Sequence, residues 1–158
     1  MKLPGDLAYP KLFKRGALLY QELKTELETG PRNKYMVVVS IDDKDKPVLV
    51  ALTTSQVEKF RSRVRVPGFI GIAKDETDLF AKDTIVDCRK LHERTREKMI
   101  RDYESEDLEY KGTIPDHLMG RIDQALYSAE TLTSAQKKAT VPSDFGTNHG
   151  ENPKPEKK

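Results

Sequence analysis

The feature that most constrains the fold is a pair of apolar, β-branched runs separated by a short polar connection. The first run extends from Lys34 to Ser40 and the second from Val48 to Leu52, and the connection between them ends at Pro47. Two such runs around a polar link predict a β-hairpin, and their near-continuous apolarity predicts that both faces of the hairpin are covered. Three hydroxyl residues follow the second run, where a buried strand ends and function is often found. They are Thr53, Thr54 and Ser55.

Length and composition limit the class of protein. The 158 residues suit one domain. The net charge is only +2, so a nucleic-acid surface would have to come from local segregation of basic residues. The single cysteine, Cys88, excludes an intrachain disulfide and a zinc site built from several thiolates, and it suits a reducing compartment. No apolar run approaches the roughly 18 to 20 residues that cross a bilayer, and the first residues lack a signal-peptide core. We expect a cytoplasmic protein without membrane contact.

The chain divides into three predicted segments. Residues 1–15 form an N-terminal extension in which Pro4, Gly5 and Pro10 interrupt regular structure. Residues 16–132 form the domain. Residues 133–158 lose apolar periodicity and are rich in proline, glycine and lysine, which predicts a disordered polar tail. At the start of the domain, leucines recur at helical spacing before Gly30-Pro31, which favours a helix over residues 17–29.

Two more strands and one helix are predicted after the hairpin. The strands are Gly68 to Ile72 and Thr84 to Leu91. Alternation along the second of these places Asp87 and Arg89 on one face, and Cys88 on the other face beside Val86. We therefore expect the Cys88 thiol to be buried in the core and not to act as a nucleophile. A helix is predicted from Asp116 to Leu132, with Pro115 at its start and an apolar stripe along one side.

This order of parts resembles the PemK/MazF family of toxin endoribonucleases. The resemblance covers residues 16–132. The matching parts are the valine-rich hairpin ending in Thr53-Thr54-Ser55, the strand at Gly68 to Ala73, the strand Asp83 to Arg89, the segment Lys111 to Pro115, and the helix Asp116 to Leu132.

The resemblance implies a mainly β fold with helices, a small SH3-like β-barrel with a C-terminal helix. It implies cleavage of single-stranded RNA, inhibition by an antitoxin protein, a homodimer, and no cofactor. It also places a first strand at Arg15-Gly16-Ala17-Leu18, followed by a long loop, so a helix and a strand plus loop both remain open for residues 17–29.

Two departures from the family pattern define an alternative. The chain has Lys34-Tyr35 where the family usually has Arg-Pro, and it has Asp87-Cys88-Arg89 where the family often has the two charges in reverse order. The alternative is a non-catalytic module on the same barrel that binds a protein or a nucleic acid.

Metal-independent RNA cleavage needs a base for the ribose 2′-hydroxyl, a donor for the charge on the phosphate, and an acid for the leaving oxygen. Asp87 and Arg89 supply a carboxylate and a guanidinium that can bind phosphate through two donors. The hydroxyls of Thr53, Thr54 and Ser55 are further donors. The competing interpretation is an ordinary surface ion pair, with hydroxyls that only terminate the strand.

Basic and aromatic residues predict a groove for a single RNA strand. Tyr35 and Phe69 offer stacking surfaces, and His92 can act as an acid or a base near neutral pH. A solvated charged face is the alternative. No spacing typical of a metal site or a phosphate-binding loop is present, so no metal or cofactor is expected. The predicted RNA-binding residues are Lys34, Tyr35, Arg61, Arg63, Arg65, His92, Arg94 and Arg96.

Overall fold

The computed structural model describes residues 5–23, 32–55 and 67–141. A 3-10 turn at Lys74–Glu76 accompanies four helices and six strands in this part of the chain. In order they are α1 (Gly5–Phe13), β1 (Ala17–Leu23), β2 (Arg32–Val38), β3 (Val48–Thr54), β4 (Phe69–Ile72), β5 (Thr84–Arg94), α2 (Arg96–Glu104), β6 (Leu108–Thr113), α3 (Asp116–Ser128) and α4 (Ser134–Thr140).

The strands form one antiparallel sheet in the order β4-β5-β3-β2-β1-β6. The predicted hairpin is confirmed at its centre, where Val37 pairs with Ala51. The mainly β fold with helices is confirmed as well. Within the described residues, β4 and β6 do not pair with each other, so the sheet stays open. The connection between β4 and β5 reaches the opposite edge, where Leu79 lies against Gly112 of β6.

Both faces of the sheet are covered, as the apolar hairpin predicts. On the face that we call the first face, Val37 and Ala51 pack with α3 and α4. On the second face, Val38 and Val50 pack with residues of α1 and α2, including the fully buried Leu12. Neighbouring residues of one strand enter different cores because successive side chains point to opposite sides of a sheet.

The helix favoured for residues 17–29 is wrong over residues 17–23, which form β1. Leu18 belongs to the core of the first face and Leu19 to the core of the second. The leucine spacing fits a helix, but pairing with both β2 and β6 supplies long-range hydrogen bonds and packing that outweigh local propensity. Residues 24–29 lie outside the described residues.

The helix after Pro115 ends at Ser128, four residues earlier than Leu132. The predicted disorder from residue 133 is also wrong over its first residues, because α4 follows. Thr133 and Gln136 form a reciprocal capping box at the start of α4, and Thr140 at its end is fully buried. Residues 142–158 of the predicted tail lie outside the described residues.

The position of α4 is fixed by Arg15. Its Nε donates to the carbonyl oxygens of Thr140 and Val39, at 2.9 and 3.0 Å, and Nη2 forms an ion pair with Asp123 of α3. A further backbone bond of 2.7 Å runs from the Ile41 amide to the Ala139 carbonyl. One arginine therefore ties together the end of β2, α3 and α4.

Three further elements, α1, α2 and β6, were not predicted. The expectation that Pro4, Gly5 and Pro10 interrupt regular structure in the N-terminal extension is wrong over Gly5–Phe13, which forms α1 with Pro10 inside it. The charged run from His92 to Arg101 divides between the end of β5 and α2, whose first turn is capped by Thr95. Only Met99 and Tyr103 of α2 are buried, which is too few to give a helical pattern. None of the described helices is long and apolar enough to cross a membrane.

Candidate functional site

A three-residue bulge in β5 is the central feature of the site. Leu52 of β3 pairs with Asp87, whereas its neighbour Ala51 pairs with Leu91. One step along β3 therefore corresponds to four along β5, and residues 88–90 are left out of the pairing. Bulges of this kind bend a strand and redirect its side chains.

The bulge changes which residues share a face. Residues five apart on a regular strand point to opposite sides. Here Asp87 lies opposite Leu52, and His92 lies opposite Val50. Leu52 and Val50 are two positions apart on β3 and both contribute to the second core. Asp87 and His92 therefore both belong to the second face. Since two residues of a strand span about 7 Å, Asp87 and His92 are about that far apart along the sheet. Arg94, opposite Val48, follows on the same face.

The backbone of the bulge is held by partners outside the β3 ladder. The Cys88 amide donates to the Gly68 carbonyl at 2.8 Å. The Arg89 amide donates to Asp87 Oδ1 at 3.0 Å, and the Arg89 carbonyl accepts from the Thr131 hydroxyl at 2.6 Å. These bonds satisfy polar groups that would otherwise lack partners, which makes the bulge a defined conformation.

The Arg89 guanidinium is fixed on two sides. Nε lies 3.1 Å from Asp87 Oδ1 and Nη2 lies 3.2 Å from Oδ2, and the group stacks on the Phe69 ring at 4.1 Å from its centroid. The two charged side chains are 32% and 30% exposed. The ion pair between Asp87 and Arg89, which was the competing interpretation of these two residues, is therefore present. In the described part of the chain Nη1 has no hydrogen-bond partner, and it is the nitrogen left to meet an anion.

The surroundings of His92 favour the neutral form of its imidazole. Burial lowers its pKa below the ordinary value, and the nearby charges of Arg94 and Lys90 lower it further, whereas Asp87 opposes the shift. A neutral imidazole can accept a proton at physiological pH. The imidazole therefore provides a base on the face that carries Asp87 and Arg89.

The structure separates the three predicted hydroxyl residues. Thr53 lies opposite Val86, faces the first core, and donates its hydroxyl to the Tyr35 carbonyl at 3.1 Å. The prediction that Thr53 joins Asp87 and Arg89 is wrong because neighbouring strand residues alternate in direction. Thr54 lies opposite Ile85 on the second face, and Ser55 is exposed just beyond β3.

The predicted RNA-binding residues also divide between locations. Lys34 is two residues from Met36 of the second core, so it shares the face of His92 and Arg94. Tyr35 points to the first face and packs on Tyr20, with ring centroids 4.7 Å apart. Tyr35 is therefore not brought to the second face.

Arg96 has a structural role. It binds Asp42 at 2.6 Å and the Asp43 carbonyl at 2.8 Å, and it stacks on Phe13 at 4.7 Å. The structure does not bring Arg96 to Asp87 and Arg89 as a free cation. Arg61, Arg63 and Arg65 lie outside the described residues.

Cys88 is fully buried, as predicted. Burial raises the pKa of its thiol to about 12, with smaller contributions from nearby Asp87 and Asp123. A thiol with so little thiolate at neutral pH is a poor nucleophile. The described residues include no group of three or more histidine, cysteine, aspartate or glutamate side chains arranged to hold a metal ion.

Two residues that contact Arg89 were not among the predicted site residues. Gly68 has a φ of +103°, and a Cβ at this position would lie 2.5 Å from Arg89 Cγ. Thr131 is 42 positions away from Arg89 in the chain. A glycine at the start of the predicted strand Gly68 to Ile72 is a signal for a close backbone approach, but nothing in the sequence pairs Thr131 with Arg89.

Comparison with known proteins adds no family assignment. No protein-family model matches the sequence, and no curated protein matches it significantly. The grounds for a function are therefore the resemblance to the PemK/MazF family and the geometry of the second face.

Proposed function

We propose that this protein is a metal-independent endoribonuclease that cleaves single-stranded RNA at the second-face site. The observation that carries the proposal is the bulge of β5, since it puts Asp87 and His92 on one face, where Asp87 also holds the Arg89 guanidinium. These three groups are a carboxylate, a guanidinium and a neutral imidazole. They match the requirements for attack by a ribose 2′-hydroxyl on the neighbouring phosphate.

His92 takes the proton of the 2′-hydroxyl. Asp87 is the less suitable base, because both of its oxygens already accept hydrogen bonds from Arg89. The 2′-oxygen then forms a bond to phosphorus and the bond to the 5′-oxygen breaks, which leaves a 2′,3′-cyclic phosphate. Solvent protonates the leaving oxygen in this half-exposed site.

Arg89 stabilises the charge that builds on the phosphate. Asp87 and Phe69 hold the guanidinium in place before substrate binds, so little reorganisation is needed during the reaction. Thr54 and Ser55 are candidate donors to the same phosphate at the end of β3. Lys34 and Arg94, on the same face, are candidates for contacts with neighbouring phosphates.

The wider resemblance supports further parts of the proposal. The six-stranded sheet, with a strand at residues 17–23 and a helix at Asp116–Ser128, is compatible with the SH3-like barrel of the PemK/MazF family. We propose that the protein is the toxin of a toxin–antitoxin pair, a cytoplasmic homodimer inhibited by an antitoxin protein.

A specific observation favours a second candidate, the non-catalytic binding module. Arg89 and Asp87 satisfy each other through two hydrogen bonds, as structural ion pairs do. The chain also carries Lys34-Tyr35 at the position of the family's Arg-Pro. On this alternative the second face binds RNA or protein without cleaving it.

The test uses a fluorogenic single-stranded RNA in the presence of a metal chelator. Arg89→Ala should lower the cleavage rate by about 10² to 10³-fold, because one preorganised donor to the transition state is lost. Arg89→Lys should cleave RNA only slightly faster than Arg89→Ala, since an ammonium cannot make the planar two-point contact with the phosphate. Asp87→Asn keeps an oxygen that accepts from the Arg89 amide, so it should preserve the bulge while removing the charge that holds the guanidinium. Arg101→Ala, at an exposed position of α2, is the matched control.

Circular dichroism of each variant separates loss of chemistry from loss of folding. Cleavage by Arg89→Ala at the wild-type rate would remove Arg89 from the mechanism. A wild-type protein inactive on diverse RNAs, yet able to bind them, would establish the binding module instead. Growth arrest upon expression, relieved by Arg89→Ala, would support the toxin assignment.

A further inference from the structure

The turn between α3 and α4 lies directly over the bulge of β5. Ala129 in this turn is fully buried, and a Cβ placed on Gly68 would lie 3.2 Å from the Ala129 Cβ. Two residues later, the Thr131 hydroxyl donates to the Arg89 carbonyl at 2.6 Å. The turn therefore bonds directly to the bulge at Arg89, and it also packs close to Gly68, whose carbonyl accepts from the Cys88 amide of the bulge.

The hydrogen bond of Thr131 replaces a bond that the sheet cannot supply. Residues 88–90 are left out of the pairing with β3, so the Arg89 carbonyl needs a donor from elsewhere or a water molecule. Among the residues that the structure describes, Thr131 is that donor. Without its hydroxyl, the carbonyl would turn to solvent and the bulge would lose one of the bonds that define its shape.

We propose that Thr131 is a positioning residue, whose hydroxyl fixes the bulge and thereby sets where Arg89 stands relative to Asp87 and His92. Its effect on RNA cleavage rests on the proposed function, whereas its effect on the geometry of Arg89 does not. Arg89 acts on the charge of the transition state, so a displaced guanidinium lowers kcat more than it raises KM. Thr131 itself touches no substrate in this scheme.

The experiment compares Thr131→Val, which has a similar volume and no hydroxyl, with Thr131→Ser, which keeps the hydroxyl. Thr113→Val is the matched control, because Thr113 is an exposed threonine of β6 whose hydroxyl bonds to Tyr110 at 2.5 Å. Two quantities are measured in the full chain. The first is kcat and KM on the fluorogenic RNA with chelator, and the second is the NMR resonance of the Arg89 Nε–H group, assigned with Arg89→Lys.

Thr131→Val should lower kcat by about 10- to 100-fold, the size of effect that a misplacement of about 1 Å produces, with little change in KM. It should also shift the Arg89 Nε–H resonance. Thr131→Ser should restore both quantities, and Thr113→Val should change neither.

Two results would overturn the proposal. One is a Thr131→Val protein that matches the wild type in both measurements. The other is a defect in Thr131→Val that Thr131→Ser does not repair, because the hydroxyl would then not be the cause. If the wild-type protein cleaves no RNA, the proposed function fails, and the Arg89 Nε–H resonance alone tests whether Thr131 positions Arg89. A shift in Thr131→Val that Thr131→Ser reverses supports positioning, and an unshifted resonance refutes it.

Discussion

Asp87 differs from an ordinary surface carboxylate because one of its oxygens serves two purposes. Oδ1 accepts from the backbone amide of Arg89 at 3.0 Å and from its Nε at 3.1 Å. The side chain therefore stabilises the bulge and orients the guanidinium at the same time. An exposed ion pair alone contributes about 0 to 1 kcal/mol to stability, whereas a backbone amide inside a bulge also needs a partner. The ion pair of Asp87 and Arg89 therefore helps to hold the shape of the bulge, independently of any role in catalysis.

Gly68→Ala is predicted to disturb Arg89. The residue has a positive φ, and its Cβ would lie 2.5 Å from Arg89 Cγ, so either the backbone or the Arg89 side chain must move. We expect a loss of about 1 to 3 kcal/mol in the free energy of unfolding, together with weaker stacking on Phe69. Chemical denaturation measures the first effect. The control is Gly71→Ala in β4, where a Cβ would meet nothing within 4 Å. Equal stability of the two variants would contradict the prediction.

His92 is predicted to make the protein less stable as the pH falls. Burial lowers the pKa of its folded state, so the unfolded chain takes up a proton first, near the ordinary histidine pKa of about 6.5. The stability contributed by neutral His92 is present above that pH and is lost as the pH falls toward the folded pKa.

The measurement is the urea midpoint at about pH 7.5 and about pH 5.5, on either side of the ordinary histidine pKa. The wild type should lose more stability between these conditions than His92→Gln, which has no group to titrate there. All other titrating groups are shared by the two proteins. An identical pH dependence would show that His92 titrates alike in the folded and unfolded states.

At the scale of elements, β5 and α4 depend on each other through the turn at residues 129–131. Arg15 bonds to the last turn of α4, and Thr131 before α4 bonds to the bulge. The part of α4 that enters the core is small, with Thr140 buried and Ala139 and Val141 packed against the first core. Those contacts accompany a capped helix in a segment whose composition alone predicts disorder.

Removing α4 is therefore predicted to destabilise the protein. A variant that ends at Leu132 loses the capped helix, the Arg15 bond to Thr140 and the backbone bond from Ile41 to Ala139. We expect a lower Tm, by roughly 5 to 10 °C for a loss of about 2 to 3 kcal/mol in a domain of this size. A variant that ends at Val141 keeps every contact described here and is the reference. Equal Tm values for the two variants would show that α4 does not stabilise the domain.

At the scale of the whole molecule, one sheet separates two hydrophobic cores, and the packing of both cores stabilises the sheet. Leu118 of α3 is fully buried on the first face, and Leu12 of α1 is fully buried on the second. The hairpin β2–β3 contributes to both cores through alternate residues. Since the two cores share the strands between them, neither can lose its packing without exposing one side of the same sheet.

Leu12→Ala and Leu118→Ala are each predicted to cost about 2 to 5 kcal/mol, the usual range for a buried leucine. Both should lower the midpoint of one common unfolding transition, seen alike by near- and far-ultraviolet circular dichroism. Lys14→Ala, at an exposed position two residues after Leu12, should leave the midpoint nearly unchanged. A separate early transition in Leu12→Ala would mean that α1 unfolds independently of the sheet.

The sequence alone determined the parts that depend on local pattern. The hairpin, the strands that became β4 and β5, and the helix after Pro115 follow from runs of apolar residues and from proline placement, which act over a few positions. The same alternation correctly put Asp87 beside Arg89 and buried Cys88. The capping box of Thr133 and Gln136 is a local signal as well, since a threonine three residues before a glutamine marks a helix start, but it was not used and the segment was predicted to be disordered.

Only the tertiary structure decided the rest. Residues 17–23 are a strand because β2 and β6 pair with them from both sides. The spacing of the leucines does not indicate that these partner strands exist. The bulge that puts His92 on the same face as Asp87 arises because one step along β3 corresponds to four steps along β5. Periodicity within one strand cannot reveal such a shift in register. Thr131 reaches Arg89 across 42 positions of sequence. In each case the stabilising partner is distant in the chain, so the conformation becomes favourable only once the sheet and its helices have assembled.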